Sequence, residues 1–186
     1  MRARSLCRLV PAVALLWLSA AGAALPRDKA AVEVGFPLAS VSATDTEYGD
    51  TTWLIAAPAG GLFSSLTSPG LYAAFQVGDR VSFEPQLGLT HIIEGGDSMT
   101  LLSAAGQINL AARSWRERTP YLFVRGGLLV VSGEGDSDTE GVIGGGFGFR
   151  VPIRSHAVMR WEGFFNRFID SDANEIGVRV KLGILF

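Results

Sequence analysis

The sequence is nearly empty of thiol and imidazole. Among 186 residues there is one cysteine, Cys7, and there are two histidines, His91 and His156. Cys7 sits in an amino-terminal stretch read below as a removable signal. Without it there is no disulfide, no thiolate nucleophile and no cysteine-bound metal. Only 18% of the residues are charged. Beyond the first stretch no apolar run reaches the roughly 20 residues a membrane-crossing helix needs. An exported chain of this kind has to gain rigidity from something other than disulfide staples.

The beginning of the chain is ordered by type. Arg2, Arg4 and Arg8 come first, then the apolar run "LVPAVALLWL" from Leu9 to Leu18, then "SAAGAA". Charge, apolar core and small residues in that order describe a secretory signal peptide, residues 1–23, with cleavage expected after Ala21-Gly22-Ala23. An uncleaved anchor helix is the weaker reading, because the run is short for a span. Cys7 precedes the apolar run, which does not suit a lipoprotein acylation site. Losing residues 1–23 removes three arginines and no acid, so the net charge moves from −2 to −5. That balance argues against a nucleic-acid partner.

Residues 24–50 read as an amino-terminal segment, in part extended ("AAVEVGFPLASV") and then turn-like and acidic ("SATDTEYGD"). Regular patterning starts at Thr51. Extended candidates cover 51–58, 70–77, 80–92, 100–112, 120–131, 141–151, 156–168 and 175–186. Strand-sized segments separated by turn signals indicate an all-β antiparallel meander over residues 51–186. In "RVSFEPQLGLTHI", Val81, Phe83, Pro85, Leu87 and Leu89 share one face, and Ser82, Glu84, Gln86, Gly88 and Thr90 the other. The segment 141–151 sets Ile143, Phe147, Phe149 and Val151 against Gly144, Gly146, Gly148 and Arg150. In 156–168, Ala157, Met159, Trp161 and Phe165 oppose Arg160, Glu162 and Asn166.

The connections alternate as well. "GDR", "RSWRERT" and "PIRS" all contain arginine. "IEGGDSM", "SGEGDSDTE" and "IDSDAN" are acidic and rich in Gly, Ser and Asp, while "AGGLFSSLTSP" is neutral. Two chemically different ends imply strands running up and down between two environments.

Alternation alone does not say which face is inside. The polar face uses many Gly, Ser, Ala and Thr residues, as a narrow interior requires. The apolar face carries aromatics near segment ends, Phe75 and Phe83 by "GDR", Phe149 by "PIRS", and Phe186, as lipid-facing barrels do. A closed barrel also pairs every backbone group internally, which hydrocarbon demands. These features predict an eight-stranded antiparallel up-and-down transmembrane β-barrel, with the arginine-bearing turns periplasmic and the acidic loops outside.

Signal peptide, alternating segments, short turns against long loops, and a last strand "EIGVRVKLGILF" closing in phenylalanine resemble the small OmpA/OmpX-type outer-membrane barrels across roughly residues 51–186. The resemblance implies residence in the outer membrane among its lipids, as a monomer. It also implies that Val178, Val180, Leu182, Ile184 and Phe186 are a label read by the barrel-assembly machinery, although an aromatic is more usual at Ile184. An OmpA-type peptidoglycan-binding domain is not expected after the barrel, so that anchoring role is not implied.

With the polar face inside, Glu84, Arg125, Arg160, Glu162, Arg179 and Lys181 point into the lumen. Buried charges need partners, so an ion-pair plug is expected, and a gate for small ions is the sharper alternative. Catalytic candidates are poor. Ser155-His156 lies at an expected turn, no Ser/His/Asp set converges, and His91 and His156 read as solvated. "GEGDSDTEG" has carboxylates for loose Ca²⁺ binding but lacks EF-hand spacing. "GGGFG" has no following helix to hold phosphate. The sequence therefore predicts a non-enzymatic outer-membrane barrel with no cofactor and a structural or surface-interaction role. The alternatives are a narrow pore, a lipid-modifying enzyme, and a soluble exported barrel that binds an apolar ligand.

Overall fold

A computed structural model describes residues 32–45, 51–56, 70–94, 97–133 and 137–186, with the side chains of 52–56, 90–94, 97–98 and 154 left aside. The expected signal peptide, the first residues of the 24–50 segment, the "AGGLFSSLTSP" connection and the Glu134–Asp136 part of "GEGDSDTEG" lie outside the described residues. The strands are β1 (Val32–Asp45), β2 (Thr51–Ala56), β3 (Leu71–Gln76), β4 (Val81–Glu94), β5 (Asp97–Ala111), β6 (Thr119–Ser132), β7 (Ser137–Arg154), β8 (Ala157–Phe168) and β9 (Asn174–Leu185). They form one antiparallel sheet, and β1 pairs with β9 to close it. The closing ladder runs from Glu33↔Leu185 to Asp45↔Asn174. Phe186 extends it, donating its N–H to the Val32 carbonyl at 2.9 Å.

Nine strands make eight staves. β2 pairs with the outer half of β1, Ser40 to Asp45, and β3 with its inner half, Val32 to Gly35. Both run antiparallel to β1, so they are two pieces of one stave. The expected strands at 51–58 and 70–77 are therefore not separate staves, and the missing stave is β1, inside the segment expected to precede the barrel. Its alternation is hidden by a phase change. Glu33 and Gly35 are buried before the bulge between Pro37 and Ala39, and Ser40, Ser42 and Thr44 after it. Odd positions face inward and then even ones do, so no single period-2 pattern spans the strand. Proline, which has no N–H to give to a ladder, marks the break. A second bulge, between Pro152 and Arg154, ends β7 in the same way.

The chain alternates between two ends. Connections 77–80, 112–118 and 155–156 lie at the end where β1 starts and β9 finishes, here called inner. The strand ends Ser132, Ser137, Phe168 and Asn174 lie at the other, outer end, together with the β4–β5 hairpin, which pairs as far as Glu94↔Asp97 and is tighter than the expected 93–99 loop.

The apolar faces point outward. Val81, Leu87 and Leu89 are exposed, whereas Ser82, Glu84 and Gln86 between them are buried. Leu122, Val124, Phe147, Trp161, Phe165, Ile176 and Val178 are each at least 50% exposed and continue the belt around the barrel. A soluble barrel buries such residues. An encircling apolar surface with a polar centre is the arrangement of a lipid-facing barrel.

Two details depart from expectation. Phe75 is buried and Phe83 half-buried, opposite each other in the β3–β4 ladder, so of the four expected girdle aromatics only Phe149 and Phe186 stand exposed. The lumen is also less uniformly small. It holds Trp115, Tyr72, Tyr121, Phe123 and Phe164, plus an apolar cluster of Leu101, Leu129, Val142, Phe168 and Ala173 near its outer end.

Candidate functional site

Period-2 alternation from eight of the strands delivers polar side chains to one level of the lumen. Register places Glu84 beside Gln107, Gln107 beside Arg125, Glu162 beside Arg179, and Arg160 between Arg150 and Lys181. Glu33 arrives from β1 and Tyr72 from β3, Glu33 being 1% and Tyr72 3% exposed.

Three carboxylates organise the cluster. Glu162 Oε2 accepts from Arg179 Nε at 2.5 Å, and its Oε1 accepts from the Tyr121 hydroxyl at 2.6 Å and from Lys181 Nζ at 3.0 Å. Glu84 Oε1 accepts from Lys181 Nζ at 2.6 Å, and Oε2 accepts from Arg160 Nη1 at 2.5 Å. Glu33 Oε1 lies 2.7 Å from Arg160 Nε and accepts the Tyr72 hydroxyl at 2.8 Å. Amides link these pairs. Gln86 Nε2 donates to Glu84 Oε1 at 2.6 Å and Gln107 Oε1 at 2.9 Å, and Gln107 Nε2 donates to Asn109 Oδ1 at 2.6 Å. Arg179 Nη2 donates to Gln107 Oε1 at 3.0 Å.

Close approach depends on glycine. A Cβ at Gly148 would collide with the Tyr121 ring, and one at Gly183 would stand 2.7 Å from both the Tyr72 hydroxyl and Glu33 Oε1. Both tyrosines can reach their carboxylates because these two positions carry no side chain, Gly148 on the strand next to Tyr121 and Gly183 across β1 from Tyr72.

The lumen is layered. Trp115 rises from the inner turn 112–118, is 1% exposed, and packs edge-on against Tyr121 with ring centroids 5.1 Å apart. Its backbone N–H is anchored on the Asp79 carbonyl at 2.8 Å, which ties this turn to the 77–80 turn. Outward of the ion pairs lie Phe123 and Phe164, with the Arg179 guanidinium 5.8 and 5.2 Å from their rings. Arg125 lies 5.8 Å from the Phe164 ring, and Asn166 Nδ2 donates to Glu175 Oε2 at 2.8 Å. The apolar cluster around Phe168 follows.

All six lumen residues named from the sequence, Glu84, Arg125, Arg160, Glu162, Arg179 and Lys181, are buried in the barrel. Five share the ion-pair cluster, and Arg125 stands outward of it beside Phe164. Sequence reasoning missed Glu33, because the β1 bulge concealed its strand. It also missed Trp115, because an indole between arginines in a turn has no periodicity to follow. The tyrosines were findable, since Tyr121 falls on the inward parity of its segment. On β9 Val178, Ile184 and Phe186 are exposed to the outside, while Val180 and Leu182 are partly covered.

The cluster holds charges and orients amides. Among the described residues no histidine enters it. His156 is exposed at the inner turn with Nδ1 2.9 Å from Ser155 Oγ, and among the described residues no carboxylate completes that pair. Among the described residues no group of His, Cys, Asp and Glu is placed to bind a metal.

No protein-family model matches the chain, and no curated protein matches it in sequence. Solved structures do match its shape. Neisserial surface protein A (NspA) superposes with a TM-score of 0.57 at 11% identity, covering 84% of this chain and 97% of that one. Ail, the attachment invasion locus protein of Yersinia pestis, in complex with the heparin analogue sucrose octasulfate, superposes with a TM-score of 0.50 at 12% identity over the same shares. At such identities the likeness is one of fold. The chain has the closed, all-antiparallel eight-stranded fold of the small OmpA/OmpX-type outer-membrane barrels.

Proposed function

We propose that the protein is a non-enzymatic, monomeric outer-membrane barrel whose lumen is plugged, and whose role is structural or in surface interactions. One observation carries this reading: among the described residues the lumen is filled at successive levels by Trp115, by the Glu33–Glu84–Glu162 cluster, by Phe123 and Phe164, and by the Phe168 cluster. A conducting path through it would have to break several buried ion pairs together, and each loses several kcal/mol when one partner is left alone. Purified protein in a planar bilayer is expected to be electrically silent. Discrete conductance steps would replace this reading with that of a narrow pore.

Export by the residue 1–23 signal and insertion by the barrel-assembly machinery, reading Val178, Val180, Leu182, Ile184 and Phe186, complete the proposal. Cell fractionation should place the protein in the outer membrane, with gel migration that shifts on heating. Recovery from the periplasm without detergent contradicts it. The outer end carries Asp45, Asp138, Glu140, Asp170 and Asp172. Ail is solved with a sulfated sugar analogue. The acidic end of this barrel suits a cationic partner better than a polyanion.

A further inference from the structure

Arg150 and Arg160 are directly opposed on β7 and β8, so two guanidiniums enter the lumen side by side. Like charges in that position repel unless a counter-charge is shared. Glu33 is shared: Oε1 lies 2.7 Å from Arg160 Nε, and Oε2 lies 3.4 Å from both Nε and Nη2 of Arg150. It is also engaged by the Tyr72 hydroxyl, and Arg160 Nη1 is engaged by Glu84.

Three donors around Trp115 are then left over, besides Arg160 Nε, which faces Glu33 Oε1 as an ion pair without a hydrogen bond, and Arg179 Nη1 beyond it. Arg150 Nη1, Arg160 Nη2 and Trp115 Nε1 have no hydrogen-bond acceptor among the described residues, and their residues are at most 1% exposed. They belong to one place. The guanidinium carbons of Arg150 and Arg160 lie 5.6 and 5.2 Å from the centre of the Trp115 ring. Charge is unbalanced in the same place. Among the described residues, the connected cluster holds four cations (Arg150, Arg160, Arg179 and Lys181) against three carboxylates (Glu33, Glu84 and Glu162).

Buried donors are normally satisfied, and buried charge is normally compensated. Water answers the first requirement and leaves the second. A monovalent anion answers both, whereas a divalent oxyanion would reverse the imbalance. We propose that Arg150, Arg160 and Trp115 bind one small monovalent anion, of halide size, at the inner end of the lumen. It would enter from the side of the 112–118 turn, of which Trp115 is part.

The inference goes beyond the plugged-barrel reading and is tested apart from it, since a silent bilayer says nothing about a bound halide. Folded, detergent-solubilised protein crystallised with sodium bromide should show a bromide anomalous peak in contact with Arg150, Arg160 and Trp115. Water or a protein acceptor at that position, with bromide absent or confined to exposed cations, overturns the proposal. In solution, the unfolding temperature at fixed sodium should be about 2–4 °C higher in chloride than in gluconate. Trp115→Phe, which keeps the ring and removes the N–H, should shrink that difference. Equal unfolding temperatures in the two salts likewise overturn it.

Discussion

Glu162 joins more of the lumen than its single charge suggests. It holds Arg179, Lys181 and the Tyr121 hydroxyl at once, with all of these side chains buried in the barrel. Removing one member of a buried pair leaves an uncompensated charge, which costs about 3–5 kcal/mol. Glu162→Ala is therefore expected to lower the temperature at which the folded band disappears on a heat-modifiability gel, and Glu162→Gln should do so to a smaller degree. An unchanged midpoint would mean that the pairing contributes nothing to stability. Gly148→Ala tests the same cluster from the neighbouring strand. The added methyl displaces the Tyr121 ring, with a cost of about 1–3 kcal/mol typical of overpacking. Thermal unfolding in detergent reads this directly, and Tyr121→Phe in the same protein shows how much of the loss belongs to the hydroxyl. At this scale the sequence was informative wherever parity applied. Alternation placed Glu84, Arg160, Glu162, Arg179 and Lys181 on the polar side. Which of them meet is set by register and closure, and a strand pattern read alone contains neither.

Among the elements, β1 decides whether the barrel closes. It carries the seam with β9 and holds both pieces of the split stave. A chain beginning at residue 46 should therefore fail to give the heat-shifted folded band, although it keeps all of 51–186. A folded band from that chain would show that β9 can close on the split stave without β1. The seam continues through Phe186, whose N–H is bonded to Val32. Deleting Phe186 removes its two backbone hydrogen bonds with Val32 and an exposed aromatic, and should slow insertion in cells more than it lowers the melting temperature of purified protein. β1 was hard to read because its period breaks at Pro37, and two short segments of opposite phase look like a loop with extended ends. β2 and β3 presented the opposite problem. Each has a strand-like composition, and only their shared partner reveals that together they make one stave.

For the molecule as a whole, the outward apolar belt is the property on which a membrane reading depends. Val124 is 63% exposed in the middle of β6. Val124→Arg should destabilise the barrel in lipid by about 2–4 kcal/mol, the cost of a basic residue near the bilayer midplane. A denaturant titration in vesicles measures it, and a neutral result would mean that this face does not meet hydrocarbon. The sequence by itself determined the fold class, the alternation that puts apolar groups on one face, and the difference between an arginine-bearing and an acidic end. Those follow from local rules, because a strand turns its side chains out and in by twos and a turn shows its composition. Tertiary structure alone decided that the stave count is made up by Val32–Asp45, that Trp115 folds back into the lumen, and that Glu33 stands between two arginines. The reason is physical: closing a barrel brings residues more than a hundred positions apart, such as Glu33 and Arg150, into contact, and no local pattern of residue types records such a meeting.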